Sequence, residues 1–193
     1  MKLRRTNGVF LCGLTLLAVL IGCGSEARSG LIITATITPT YNGANTPSVD
    51  VVQQALCPSG DPEYFATHGA LVVFNVRRKD PKSTMPESIT IDGYTTLYTP
   101  ATDSPSAPAI QQDTRDETIF IPSLTGSGAT EVEASVALLD LVRKSAYSAA
   151  AGGALNNYNA LFTFSGHSQY GAEITVQART NFEIGSFDNC PAN

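Results

Sequence analysis

From Leu31 onward, apolar and polar residues alternate with a period of two, the signature of a strand with one face in a core. Leu31, Ile33, Ala35 and Ile37 share one side, and Thr34, Thr36 and Thr38 take the other. Pro39 and the Tyr41-Asn42-Gly43 turn end that run. Val49 to Leu56 predicts a second strand, stopped by the breaker Cys57-Pro58-Ser59-Gly60-Asp61-Pro62. Ala70 to Val76 is apolar on both sides and predicts a central strand covered on both faces. Arg77-Arg78-Lys79-Asp80-Pro81 closes it with charge. Ser88–Asp92 and Tyr94–Tyr98 flank Gly93 and predict one strand bent at a bulge. After the Pro-rich loop Thr99–Pro108 comes a short predicted strand, Glu117–Ile121, and then a Gly126-Ser127-Gly128 turn.

Thr130 to Gly153 fits two periods. Val132, Ala134, Val136 and Leu138 alternate like a strand, while Val132, Val136, Leu139 and Val142 or Arg143 also fit a helix face. The expectation is a strand to about Leu139 and a short helix from Leu141 to Ala151, because the Ala-rich second part favours helix. Gly152-Gly153 ends it; one continuous helix is the competing reading. The clearest signal comes last. Tyr158, Ala160, Phe162 and Phe164 line one face, a loop is expected at Ser165–Gly171, and Ile174 to Ile184 then alternates with Glu173 to Glu183. That pattern predicts a long antiparallel hairpin with one face in water.

About seven short strands and one short helix predict a mainly β domain, an antiparallel sandwich over residues 31–193. An up-and-down barrel is the alternative. The terminal hairpin resembles the last two strands of immunoglobulin-like and fibronectin type III-like domains. The likeness is one of pattern: the chain has no Trp, and Cys57 and Cys190 do not occupy the inter-sheet positions of antibody domains.

Composition narrows the class of partner. Hydrophobic residues make up 42% and charged residues 15% of the 193, which fits a folded domain rather than an acidic disordered chain. The formal charge is −5, yet the first 22 residues carry Lys2, Arg4 and Arg5 and no acid. Without them nine bases face seventeen acids, a formal −8. A domain so acidic, with no basic stripe, lacks the phosphate contacts that supply most nucleic-acid affinity, so no nucleic-acid partner is expected.

The basic start is followed by an uncharged, mostly apolar run, Gly8–Ile21, of fourteen residues. A spanning helix needs about 20 apolar residues, so this run suits a signal h-region better than a permanent anchor. It ends in Leu20-Ile21-Gly22-Cys23, which resembles the lipobox of bacterial lipoproteins. That resemblance implies cleavage of a signal peptide at residues 1–22, diacylglycerol on the Cys23 thiol and acylation, palmitate among the chains, of the new amino terminus. Residues 23–30 would then be a lipidated tether. Gly24 in place of Asp implies the outer membrane of the cell envelope rather than inner-membrane retention. An uncleaved anchor and an ordinary secretory signal are the alternatives.

Cys12 leaves with the signal and Cys23 takes the lipid, so Cys57 and Cys190 are the pair left over. An exported compartment permits oxidation, and such a pair is expected to form a disulfide. No Cys-x-x-Cys occurs, so neither a redox pair nor covalent haem is indicated.

Candidate chemistry is sparse. His68 and His167 both stand in loop-like contexts beside Gly, without paired ligand spacing. Phe164-Ser165-Gly166-His167-Ser168 lacks the Gly-x-Ser-x-Gly of a nucleophile elbow and the strand-to-helix turn it needs. Asp61 and Glu63, and Asp113, Asp116 and Glu117, could gather Ca²⁺ on loops, but no EF-hand pattern is present. Arg77-Arg78-Lys79 is the basic run of the mature domain, either a solvated strand end or a contact for headgroups or a subunit. Tyr41, Tyr64, Phe65, Tyr147, Tyr158 and Tyr170 offer recognition surface or core packing. No catalytic residue, metal ligand or cofactor is expected. The sequence reading is a non-enzymatic, lipid-anchored envelope module that contacts the membrane through Cys23 and binds another envelope protein. A glycan, small-ligand or Ca²⁺-binding lipoprotein is the alternative.

Overall fold

The computed structural model describes residues 29–54, 56–124, 128–187 and 190. The predicted signal, Cys12, Cys23 and most of the Gly126-Ser127-Gly128 turn lie outside them. Among the described residues there are nine strands and one helix. They are β1 (Leu31–Tyr41), β2 (Ala44–Asn45), β3 (Ser48–Asp50), β4 (His68–Arg78), β5 (Ile89–Pro100), β6 (Asp113–Ile121), β7 (Thr130–Leu139), α1 (Leu141–Ala151), β8 (Asn156–Ser168) and β9 (Glu173–Gly185). One sheet has the order β2-β1-β4-β7 and the other β3-β9-β8-β5-β6. All pairings are antiparallel except β3 with β9, which run parallel.

The period-two pattern explains both sheets. Ala70, Val72, Phe74 and Val76 alternate onto one face of β4 and are fully buried, as are Tyr158, Phe162 and Phe164 on β8. The two faces share one core, where Phe74 meets Phe164 edge-on with ring centroids 5.1 Å apart. Each such Val or Phe contributes about 1.5–3 kcal/mol through removal from water.

The Asn42-Gly43 turn has φ of 49° and 78° at its two central residues, the left-handed geometry a two-residue hairpin demands. At Gly93 the β5 register shifts, and a Cβ there would stand 2.4 Å from the Arg115 carbonyl oxygen. The predicted bend in β5 is therefore a bulge that only glycine fits. The strand-then-helix reading of 130–153 matches β7 and α1 residue for residue.

Four expectations need correction. The strand predicted over Val49–Leu56 is only β3, because Asp50 turns its carboxylate onto the Val52 and Phe187 amides (3.2 and 2.9 Å) and the chain leaves the sheet. The outer face of β4 is only partly covered, with Leu71 and Val73 half-buried. Strand β6 begins at Asp113, before Glu117, since pairing with β5 needs backbone groups and not alternation. The last hairpin is tighter than expected: β8 runs to Ser168, so His167 lies on a strand, and His68 opens β4.

Strand directions give the molecule two ends. At the entry end lie Ser29 and Gly30, the 79–88 connection, the exit of β6 and the 169–172 turn. At the helix end lie the β1–β2 turn, residues 51–67, 101–112, and α1 with its flanks. Strand β9 has 13 residues, so the two ends are about 40 Å apart.

Candidate functional site

Helix α1 starts because Asp140, in extended conformation, accepts the Arg143 amide at 2.9 Å, and it stops at Gly152 with φ 58°. Its polar side chains then divide between two clusters. In the outer one, Arg143 bridges Asp140 (2.6 Å) and Asp113 (3.1 Å). Arg115 bridges the same two carboxylates at 2.8 and 2.7 Å. Arg143 also donates to the Gln111 and Gln112 carbonyls at 2.9 and 2.7 Å, so the network staples α1 to the start of β6.

The inner cluster surrounds Lys144, which is 0% exposed. Its Nζ sits 4.6 Å from the centre of the Phe65 ring and 5.2 Å from that of Tyr41, a cation–π cage, with no hydrogen-bond partner. Burial pulls its pKa down to about 8, against the opposing field of Asp50 and Glu63. Asp50 is itself fully buried; one carboxylate oxygen has no hydrogen-bond partner, and burial raises its pKa. Glu63 is buried too and accepts the Gln54 amide at 2.6 Å. His68 stacks on Tyr41 with ring centroids 5.1 Å apart and donates from Nε2 to the Thr46 carbonyl at 2.8 Å. Burial, against the Thr46 hydrogen bond and helped by the Lys144 charge, holds its pKa down at about 4, so it is neutral at pH 7. These groups are closed off from solvent, so they can set the shape and charge of the helix end without meeting a substrate.

Outside the cage a shallow hollow of about 380 Å³ lies between α1 and the 51–67 segment, lined by Val51, Gln53, Phe65, Ser145, Ser148 and Ala149. Phe65 thus faces the hollow and the Lys144 ammonium at once. Leu56, Tyr64, Leu141, Val142 and Leu155 are exposed at the same end, Val142 at 75%. On the outer face of the five-stranded sheet two more hollows, of about 420 and 310 Å³, share Asn159 and Asn181.

The residues named from the sequence are dispersed. Asp113 is buried and taken up by two guanidinium groups, while Asp116 and Glu117 lie further along β6. Glu63 turns inward and Asp61 outward. Among the described residues no three His, Cys, Asp or Glu side chains converge on a metal position. His167 pairs with Asp92 at 2.9 Å on the solvent face, far along the fold from His68. Tyr41, Tyr147 and Tyr158 are buried; Tyr64 and Tyr170 are exposed. Cys57 and Cys190 form a disulfide, with Cα atoms 5.5 Å apart, which fastens the 51–67 segment to the chain beyond β9. Lys144, and the bridging role of Arg143 beyond its place on a helix face, escape the sequence reading because an Ala-rich amphipathic stretch marks a helix without marking which polar residue it buries.

No family model and no curated protein matches the chain. Among solved structures, a protein from Archaeoglobus fulgidus is similar at 10% identity and TM-score 0.35, over 78% of this chain and 94% of that one. A protein from Arabidopsis thaliana matches at 14% identity and TM-score 0.35, over 65% and 76%. A candidate late embryogenesis abundant (LEA) protein matches at 17% identity and TM-score 0.34, over 79% and 71%. Likenesses at this level carry no argument about fold family or activity.

Proposed function

We propose that the chain is a non-enzymatic binding module of a bacterial envelope, an immunoglobulin-like sandwich held at the outer membrane by lipidated Cys23, which engages another envelope protein with its helix end. The observation that carries the reading is the position of five of the nine large exposed apolar side chains among the described residues. Leu56, Tyr64, Leu141, Val142 and Leu155 gather at the end opposite the one where the chain enters from Cys23, about 40 Å away. Scattered exposed apolar residues are ordinary; a set of them gathered at one end is what a protein contact uses. The Ig-like part of the reading draws on the facing sheets and the terminal β8–β9 hairpin.

Strand addition at a sheet edge is the weaker route. Strands β6 and β7 are outermost in their sheets, but Asp116, Glu117, Glu131 and Glu133 stud them with charge, the usual guard against edge pairing. A glycan-binding reading draws on the hollows that share Asn159 and Asn181, next to Arg179 and Thr99 on a polar sheet face.

In cells, a photocrosslinking residue at Val142 should give a discrete protein adduct that disappears with Cys23→Ser, while the same residue at Gln177 on the outer sheet face gives none. Adducts at Gln177 alone would move the site to the sheet face. An unchanged mass and unchanged detergent partitioning of Cys23→Ser would remove the anchor.

A further inference from the structure

The entry end carries chemistry of its own. Eight Lys and Arg residues lie among the described residues, and they are unevenly placed. Arg115 and Arg143 are consumed in the Asp113–Asp140 network, Lys144 is caged, and Arg179 stands on the outer sheet face. The other four, Arg77, Arg78, Lys79 and Lys82, all belong to the end of β4 and the connection that follows it. Arg78 is buried and donates to the Met85 and Leu124 carbonyls, which fixes that connection against the exit of β6. Arg77, Lys79 and Lys82 are exposed, and Asp80 is the acid among them. Glu131 and Glu173 begin the neighbouring strands β7 and β9.

Next to this charge are an exposed apolar side chain, Met85 (64%), and an exposed amphipathic one, Tyr170 (50%). They are neighbours, since the Tyr170 hydroxyl and the Gln169 amide both donate to the Pro86 carbonyl, at 2.7 and 2.9 Å. The start of the ordered chain is clasped to the same connection. Lys79 donates from its amide to the Gly30 carbonyl and from Nζ to the Ser29 carbonyl, and the Gly30 amide donates to Glu87. Ser29 stands only six residues after the lipidation position Cys23, a reach of about 20 Å when fully extended.

We propose that the entry end is a bilayer-facing surface. Arg77, Lys79 and Lys82 meet the anionic headgroups of the membrane that holds the anchor, and Met85 and Tyr170 sit at the interface. The inference rests on the reading of Cys23 as a lipid anchor and deepens it, because it fixes orientation: the domain stands on its entry end and presents α1 away from the membrane. Basic side chains near an anionic surface, beside an aromatic with a wet hydroxyl, are the composition that such an interface selects.

The chain has no Trp, so Met85→Trp introduces a single fluorophore at the proposed interface. Full-length lipidated protein carrying it is reconstituted in vesicles of brominated lipid, either neutral phosphatidylcholine or a 7:3 mixture with phosphatidylglycerol. The expected result is quenching at least twofold greater in the anionic vesicles. It is lost in high salt and with Arg77→Gln plus Lys82→Gln, which leave the Lys79 clasp intact. Val142→Trp, at the helix end, should stay unquenched in both. Quenching of Met85→Trp that equals that of Val142→Trp, in protein that floats with the vesicles, overturns the orientation while leaving the anchor standing. Protein that does not float with either vesicle overturns the anchor and this inference with it.

Discussion

Lys144 and His68 are charged or chargeable groups placed where water cannot reach them, and their titration therefore bears on stability. His68 has its pKa held down at about 4, so between pH 4 and its ordinary value near 6.5 the unfolded chain binds the proton more readily. Stability from this group is complete above pH 6.5 and is lost as pH falls toward 4, a contribution on the order of 3 kcal/mol. Asp50, raised by burial, works in the opposite sense at the acid end and offsets part of the loss. Lys144, at about 8, makes the folded state gain stability as pH rises from 8 toward its ordinary 10.5. Above pH 10 the buried Tyr41, Tyr94, Tyr98 and Tyr158, all raised by burial, reverse that gain because the unfolded chain ionises first. Urea midpoints measured from pH 4 to 11 should therefore climb to about pH 6.5, climb again above 8, and fall beyond 10. His68→Gln should flatten the acid limb; an unchanged slope in that variant would assign the limb to other groups.

At the scale of elements, α1 is held by docking more than by its own propensity. Eleven residues are marginal as an isolated helix, and no acid stands in the first turn to favour the dipole. Asp140 does three things at once: it caps the Arg143 amide and accepts from the Arg143 and Arg115 guanidinium groups. Asp140→Ala should cost about 2 kcal/mol or more, the cap alone being worth about 1, and Asp140→Asn should recover the cap but not the ion pairs. Equilibrium unfolding of the three proteins separates the two parts; equal stability of the Asn and Ala variants would leave the cap without weight. The ends of α1 were legible because Gly152-Gly153 and the change of period at Leu139 are local signals. The early end of β3 was not, since Val51 and Val52 remain strand-like as residues. What ends β3 is the Asp50 carboxylate reaching an amide at Phe187, far along the chain. The strand position of His167 is hidden for a related reason: the last residues of β8 are Ser165-Gly166-His167-Ser168, a composition that a loop shares.

For the whole molecule, the disulfide is the longest-range covalent constraint. It joins residues 133 apart and ties the segment that carries Glu63, Tyr64 and Phe65 to the chain beyond β9. Cys57→Ser with Cys190→Ser should lower stability by about 3–5 kcal/mol in the chain-entropy model. It should also loosen the Phe65 side of the Lys144 cage first, measurable as earlier amide exchange in residues 51–67 than in β8 and β9. Uniform exchange would mean that the segment is held by its packing alone.

The amino-acid order by itself determined the mainly β class, the strand-then-helix switch after Leu139, the Gly93 bulge, the terminal hairpin and the Cys57–Cys190 pairing. Each of these depends on neighbours in sequence or on counting, and period-two alternation carries its own direction. Which sheet a strand joins is different, because β1 pairs β4 and β4 pairs β7 through backbone groups that every residue has. Only the tertiary structure decided that Lys144, Asp50, Glu63 and His68, from four separate segments, would share one closed space. Only it brought Arg77, Lys79 and Lys82 to one end and Leu56, Tyr64, Leu141, Val142 and Leu155 to the other. Burial depends on what folds over a side chain, and that cover comes from remote parts of the chain.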